Sequence, residues 1–260
     1  MLILNTVACN NVVIQSEIVE KIKENLNNSI SQPTVSRRLK KLNITRKRLS
    51  LVPFERNSND KLDARSIYAS DITRIPVENL VFLDETGFNK HTTRAFGYSL
   101  KNIPAYVNVP ANRGTNRSCM CAISINGLIT YDYVTGAYNS NLFISFIKNK
   151  LAPYFSLNSN KVLIMDNYRF HHTREVATLF GTCQIAFKFL PPYSPQLNPI
   201  EEFFSMIKSR YAGIKLLNPE NTIEENLDVT FNNNFSVESL GFYRNMEQWL
   251  DKARRREIFL

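Results

Sequence analysis

The sequence predicts an α/β domain of five short strands with flanking helices, preceded by a small all-helical module. Three observations predict it. From Asn79 onward, compact apolar segments alternate with stretches of helical period. Two of those segments flank Asn126-Gly127, the strongest short hairpin signal. Ahead of them, the stretch from Ser31 to Ser50 carries seven Lys/Arg residues and no acid. Across 260 residues, 43% are hydrophobic and 11% aromatic, enough for a sizeable core, and 21% are charged, which excludes wholesale disorder. Lys+Arg number 32 against 23 Asp+Glu, a net charge of +9 that favours a polyanionic partner. No apolar run approaches the ~20 residues of a membrane span. The opening MLILNTVACNNVVIQ lacks the basic flank and cleavage site of a signal peptide. Cys9, Cys119, Cys121 and Cys183 fit neither a disulfide framework nor a zinc spacing, and read as buried thiols in a reducing compartment.

Element by element, Ile18, Ile22 and Leu26 recur at helical spacing. After the break NNSIS, Ser31 is a fitting N-cap for a second helix from about Gln32 to Leu42, with Pro33 in its first turn. Val35, Leu39 and Leu42 form its buried side. Arg37, Arg38, Lys40 and Lys41 line its outside, and Arg46, Lys47 and Arg48 follow. Two short helices joined by a polar turn, the second this basic, describe a helix-turn-helix and give residues 1–50 a DNA-binding role. Residues 51–78 read as a linker. NLVFLD (79–84), CMCAISI (119–125), LITYDYV (128–134), KVLIMD (161–166) and a segment near 184–190 are the five strands. Helices are expected over 139–151, where Leu142, Phe143, Phe146 and Ile147 share a face, near 172–180 and over 199–211. Residues 216–260 form a helical extension, with Trp249 in its last helix.

Two of the compact strands end on an aspartate, Asp84 and Asp166, each followed by a polar turn. Ligands of open α/β sheets collect beyond the carboxyl ends of strands, so parallel neighbours would bring both carboxylates to one rim. Strand-end capping, a metal site and a general acid/base pair all fit. A third acid comes with the helix after Pro199, for which Asn198 is a natural N-cap. At about 100° per residue, Ile200, Phe203, Phe204, Ile207 and Tyr211 cluster on one side of it. Glu201 flanks that stripe and leans over the rim, whereas Glu202 lies nearly opposite and faces water. Three converging carboxylates repel one another unless cations neutralise them, and hard divalent ions, two Mg²⁺ or Mn²⁺, suit oxygen ligands. Two such ions ~3.5–4 Å apart serve in-line phosphoryl displacement. A basic, DNA-binding protein with this site would cut or join phosphodiesters.

The stretches FLDETGFN (82–89), IMDNYRFH (164–171) and LPPYSPQLNPIEEFF (190–204) resemble the DDE transposases of the mariner superfamily and their bacterial insertion-sequence relatives. The proline-rich loop followed by NPIE and a helix is the most specific of them. The 34 residues between Asp166 and Glu201 match a common family spacing, and RAFGYS (94–99) and NRGTNRSCMCAIS (112–124) extend the likeness. The resemblance implies a ribonuclease-H-like mixed five-stranded sheet over residues 79–215. It also implies Asp84, Asp166 and Glu201 as catalytic metal ligands, with metal-dependent cleavage at transposon ends followed by strand transfer, at TA targets in the mariner branch. His171 matches a family histidine that contacts DNA phosphate or braces the metal site, and Asn167 shapes the turn behind Asp166. Lys208 and Arg210 read as solvated charges, with phosphate contact as the alternative.

Family members carry two helix-turn-helix units joined by a minor-groove hook. One unit and no hook are readable here, which implies a chain shortened at its start. The expected partner is double-stranded DNA, both transposon ends and target, bound by a homodimer and without a membrane role. The expected compartment is the nucleus in a eukaryotic host, where RRLKKLNITRKR (37–48) reads as an import signal, and otherwise the cytoplasm or nucleoid. Two rivals share these features: a non-catalytic DNA-binding protein derived from such an element, and a ribonuclease acting on RNA–DNA hybrids.

Overall fold

The computed structural model describes residues 1–259 apart from 28, 50, 95 and 168–172. The chain divides into two compact units, Met1–Pro53 and Phe54–Phe259. Among the described residues, no helix is long and apolar enough to cross a membrane.

The first unit holds three helices, α1 (Leu2–Cys9), α2 (Gln15–Leu26) and α3 (Gln32–Lys41). Its core is Ile18, Ile22 and Val35, with Leu2, Ile3, Val7 and Leu39 packed around them. The helix α1 was not foreseen. Its apolar side chains Leu2, Ile3 and Val7 find cover only against α2 and α3, which a local pattern does not reveal. Leu42, expected on the buried side, is 42% exposed, and Leu26, at helical spacing from Ile18 and Ile22, is 62% exposed, because each lies at or beyond the last turn of its helix. Ser31 occupies the N-cap of α3 without accepting a backbone N–H through its side chain, and its hydroxyl meets that of Thr34 in the first turn at 3.0 Å instead.

The second unit is built on one mixed sheet of β1 (Leu80–Phe88), β2 (Arg117–Ser124), β3 (Gly127–Thr135), β4 (Val162–Met165) and β5 (Ala186–Phe189). The spatial order is β3-β2-β1-β4-β5. β1, β2 and β3 pair antiparallel, while β4 and β5 run parallel to β1. The hairpin loop is Ile125–Asn126, and Gly127 opens β3 opposite Ser124 instead of sitting within the turn. Gly127 is required there twice over. Its φ is +112°, and a Cβ would lie 1.8 Å from the backbone oxygen of Asn234.

Alternation along the strands feeds two cores. Val81, Leu83, Met120, Ala122, Leu163 and Met165 face α5 (Ser140–Phe146), α6 (Ala152–Leu157) and α7 (Arg174–Thr182). Leu142 only flanks that core, which buries Phe143, Phe146 and Ile147, and the expected single helix is broken by a π turn over Ile147–Leu151. Phe82, Phe88, Cys119, Cys121, Ile123 and Ile164 face the opposite core with α8 (Pro199–Leu217), α9 (Ile223–Phe231) and α10 (Ser236–Arg254). That core also takes in α4 (Asn59–Ile72), whose Tyr68, Ala69 and Ile72 are buried. Residues read as linker and as extension therefore contribute to the main core. Their apolar positions are sparse in sequence and pair with partners far along the chain. Arg65 of α4, 1% exposed, donates to the Arg56 carbonyl at 2.8 Å and stacks on Phe259.

Tyr243 of α10 ties this layer to the sheet, its hydroxyl lying 3.1 Å from the Leu80 carbonyl and 3.3 Å from that of Ile123. Tyr243→Phe keeps the ring and deletes the donor. Its unfolding free energy is expected to fall by about 1–2 kcal/mol, the cost of a buried acceptor losing its partner. Urea denaturation measures this, and unchanged stability would show that the sheet alone satisfies those carbonyls.

Candidate carboxylate site

The parallel pairing of β1 with β4 ends at Leu83 opposite Met165. The next residue along each segment is an aspartate, so Asp84 in β1 and Asp166, just beyond the end of β4, lie close enough for their charges to interact. Continuing the alternation of β1, Asp84 points to the face of Phe82, the side covered by α8, where it meets Asn198. Asp84 is not strand-final as expected. β1 runs on through Glu85, Thr86, Gly87 and Phe88, paired with β2. What ends at Asp84 is the pairing with β4, and that is the rim that matters.

The third acid arrives on α8. Ile200, Phe203, Phe204, Ile207 and Tyr211 are all buried, as the helical angles require, and they fix the rotation of the helix. Glu201 then lies at the edge of the stripe, in the first turn, and remains exposed. Glu202 does not simply face water. Its carboxylate accepts a short hydrogen bond from the Asn245 amide, because α10 packs along that flank of α8. It is thereby held away from the rim.

Electrostatics tie the three acids together. Burial pushes the carboxyl of Asp84 up to about 7, with Glu201 and Asp166 adding to the rise and hydrogen bonds from the Glu85 backbone and the Asn198 amide opposing it. The part of Glu201 shielded by protein raises its carboxyl as well, opposed by Lys208 and reinforced by Asp166. Every pair of the trio thus interacts. Among the described residues, however, no group of three or more His, Cys, Asp or Glu side chains forms a ready-made metal cage. The acids share a neighbourhood and have not converged on one point.

Asp84 is held by two donors: Oδ1 accepts the Glu85 N–H at 2.7 Å and Oδ2 accepts the Asn198 amide at 2.9 Å. Asn198 precedes α8 as expected, but its side chain makes no capping bond. Lys208 is half-buried and bears on Glu201, so it is not a freely solvated charge. Arg210 lies over the Phe235 ring at 5.4 Å, turned toward the core layer. Asn167 is exposed beside Asp166. His171 lies outside the described residues. In the first unit, Arg37, Arg38, Lys40, Lys41, Arg46, Lys47 and Arg48 are all exposed, and Arg37 meets the Pro33 carbonyl at 3.4 Å.

Residues 79–220, which contain all three acids, match the DDE superfamily endonuclease family. The chain belongs to that superfamily. No curated protein matches it in sequence. Among solved structures, this DDE endonuclease is similar to the Mos1 transposase paired-end complex with left transposon end (18% identity, TM-score 0.73, 97% of this chain and 76% of the other). It is also similar to the Mos1 strand transfer complex (18%, TM-score 0.74, 99% and 77%) and to the Mos1 mariner paired-end complex with Mn (16%, TM-score 0.75, 99% and 78%). At such identities the likeness establishes the fold, and the sheet of the DDE endonuclease is ribonuclease-H-like as expected.

The raised carboxyl of Asp84 has a thermodynamic consequence. Its folded-state value stands above the ordinary 3.8, so this group's contribution to stability is whole below about pH 4 and is lost as pH rises through about 7. Metal-free protein is expected to unfold at lower denaturant concentration at pH 8 than at pH 6, and Asp84→Asn to shrink that difference. Equal pH dependence in the two proteins would show that Asp84 ionises freely in the fold.

Proposed function

We propose that this chain is a mariner-like DDE transposase, with residues 1–50 as its DNA-binding module and 79–215 as its catalytic domain. In this reading it cleaves DNA at transposon ends and transfers the freed strand into target DNA. The observation that supports the reading is the register of β1 on β4, which ends one residue before Asp84 and Asp166, within a DDE endonuclease domain. The Mos1 relatives are described with transposon ends, with a strand transfer product and with Mn, which supports the same chemistry here.

The donor set suits hard divalent cations. Burial lifts Asp84 to about 7, with Glu201 and Asp166 adding to the rise, and carboxylates so placed gain most from a ligand carrying concentrated positive charge. Asp84, Asp166 and Glu201 would hold Mg²⁺ or Mn²⁺. When bound, two such ions supply activation of the attacking water or 3′-hydroxyl and neutralisation of the leaving oxygen. The chain's own part is positional. β1 and the end of β4 would hold two of the carboxylates, α8 would bring the third, and Lys208 offsets part of the charge of Glu201. Glu202 is kept out by Asn245. The exposed cations of α3 and the segment after it provide phosphate contacts, with α3 as the recognition helix of a helix-turn-helix.

Asp166→Ala is expected to leave DNA binding intact and to abolish Mg²⁺-dependent nicking of duplex carrying the element's own ends, measured by mobility shift and gel nicking assays. Nicking by this variant at the wild-type rate would refute the site. Wild-type protein that binds without nicking would instead be an element-derived DNA-binding protein, and preference for RNA–DNA hybrid would mark a ribonuclease.

Replacing Arg46, Lys47 and Arg48 by alanine is expected to weaken duplex binding evenly across sequences. It should also flatten the salt dependence, by a slope of up to ~2.7 if all three contact phosphate at ~0.9 each. An unchanged slope would place those residues away from the DNA.

A further inference from the structure

Asn198 departs from the local role its position suggests. Asparagine just before a helix ordinarily accepts a backbone N–H of the first turn through its side chain. Here the backbone carbonyl of Asn198 receives the Glu201 N–H at 3.1 Å, and the side chain makes no such bond. The residue is only 4% exposed. Its amide reaches instead across to β1 and donates to Asp84 Oδ2 at 2.9 Å. Its own carbonyl oxygen, Oδ1, is buried without a hydrogen-bond partner. A buried acceptor left unpaired is unfavourable, and such exceptions mark places where something other than stability fixes the geometry. The neighbours are built to hold it there: Pro199 and Ile200 are buried and anchor the start of α8.

We propose that Asn198 is a positioning residue of the carboxylate site, whose side-chain N–H orients Asp84 toward the divalent cation and ties the helix carrying Glu201 to the strand carrying Asp84. The inference rests on the metal-dependent reading above. With the Glu85 N–H on Oδ1 and the Asn198 amide on Oδ2, each oxygen of Asp84 is engaged once. A carboxylate offers about four lone-pair sites, so one on each oxygen stays open for a cation while the group can no longer rotate. The role is that of an outer partner which orients a metal ligand, and loss of such partners typically weakens metal affinity or activity about 10–100-fold.

The choice of replacement separates this role from helix capping. Ionised aspartate caps as well as asparagine but cannot donate to Asp84, whereas alanine does neither, so the comparison is made at pH 8. Full-length wild type, Asn198→Asp, Asn198→Ala and Asp166→Ala are compared. Unfolding is followed by urea denaturation, Mn²⁺ binding by the electron paramagnetic resonance signal of free Mn²⁺, and nicking at saturating Mn²⁺. Positioning predicts that both Asn198 variants fold with near wild-type midpoints, that both nick at least tenfold more slowly, and that Asn198→Ala binds Mn²⁺ about tenfold or more weakly. Wild-type nicking by Asn198→Asp, with instability confined to Asn198→Ala, would make Asn198 a cap and overturn the proposal. Wild-type nicking and Mn²⁺ affinity in both variants would also overturn it. If wild-type protein and Asp166→Ala bind Mn²⁺ equally and neither nicks, the site reading itself fails, and the role of Asn198 with it.

Discussion

Like charges held side by side are the constraint on which the rest of this molecule turns. The β1–β4 register ends at Leu83 and Met165, and the next residue of each segment is an aspartate whose charge bears on the other. Water would separate such a pair, and the fold does not allow it. Both strands are clamped between two apolar layers, with Val81, Leu83, Leu163 and Met165 on one side and Phe82 and Ile164 on the other. Because the strands cannot slip without turning every side chain to the wrong face, the hydrophobic cores enforce the electrostatic strain at their rim. The apolar packing is what makes the acidic site possible.

The strain is visible in how the site's neighbours are arranged. Each helps one acid and none neutralises all three. The Glu85 N–H and the Asn198 amide serve Asp84, while Lys208 serves Glu201. A full set of protein cations at this rim would form a closed salt-bridge network with nothing left to bind. On the reading proposed above, partial compensation at Asp84 and Glu201 would leave carboxylate oxygens available to a small divalent ion.

Much of this was legible in sequence because it is local. The apolar stripe of α8 set the rotation that puts Glu201 rather than Glu202 at the rim, and the compact runs before Asp84 and Asp166 marked their strands. What escaped was nonlocal. Glu85 to Phe88 looked like a turn, since their strand character comes from pairing with Arg117 to Met120. α4 and α10 looked like linker and extension, since their few apolar residues count only when laid against one another and against α8. Asn198 looked like a cap by a rule that is sound locally. The stronger claim on its amide comes from Asp84, 114 positions earlier in the chain.

The pair Glu201 and Glu202 shows how selection between chemically equal neighbours is made. The two residues differ by one helical step, and isolated on a peptide they would be interchangeable as ligands. Helical rotation alone puts Glu202 on the far side of α8, where water would leave it free to swing. Asn245 of α10 removes that freedom by donating to its carboxylate. The layer formed by α10 therefore does more than bury apolar surface. It engages a fourth carboxylate near the three proposed as ligands, which keeps the repulsion there from growing further.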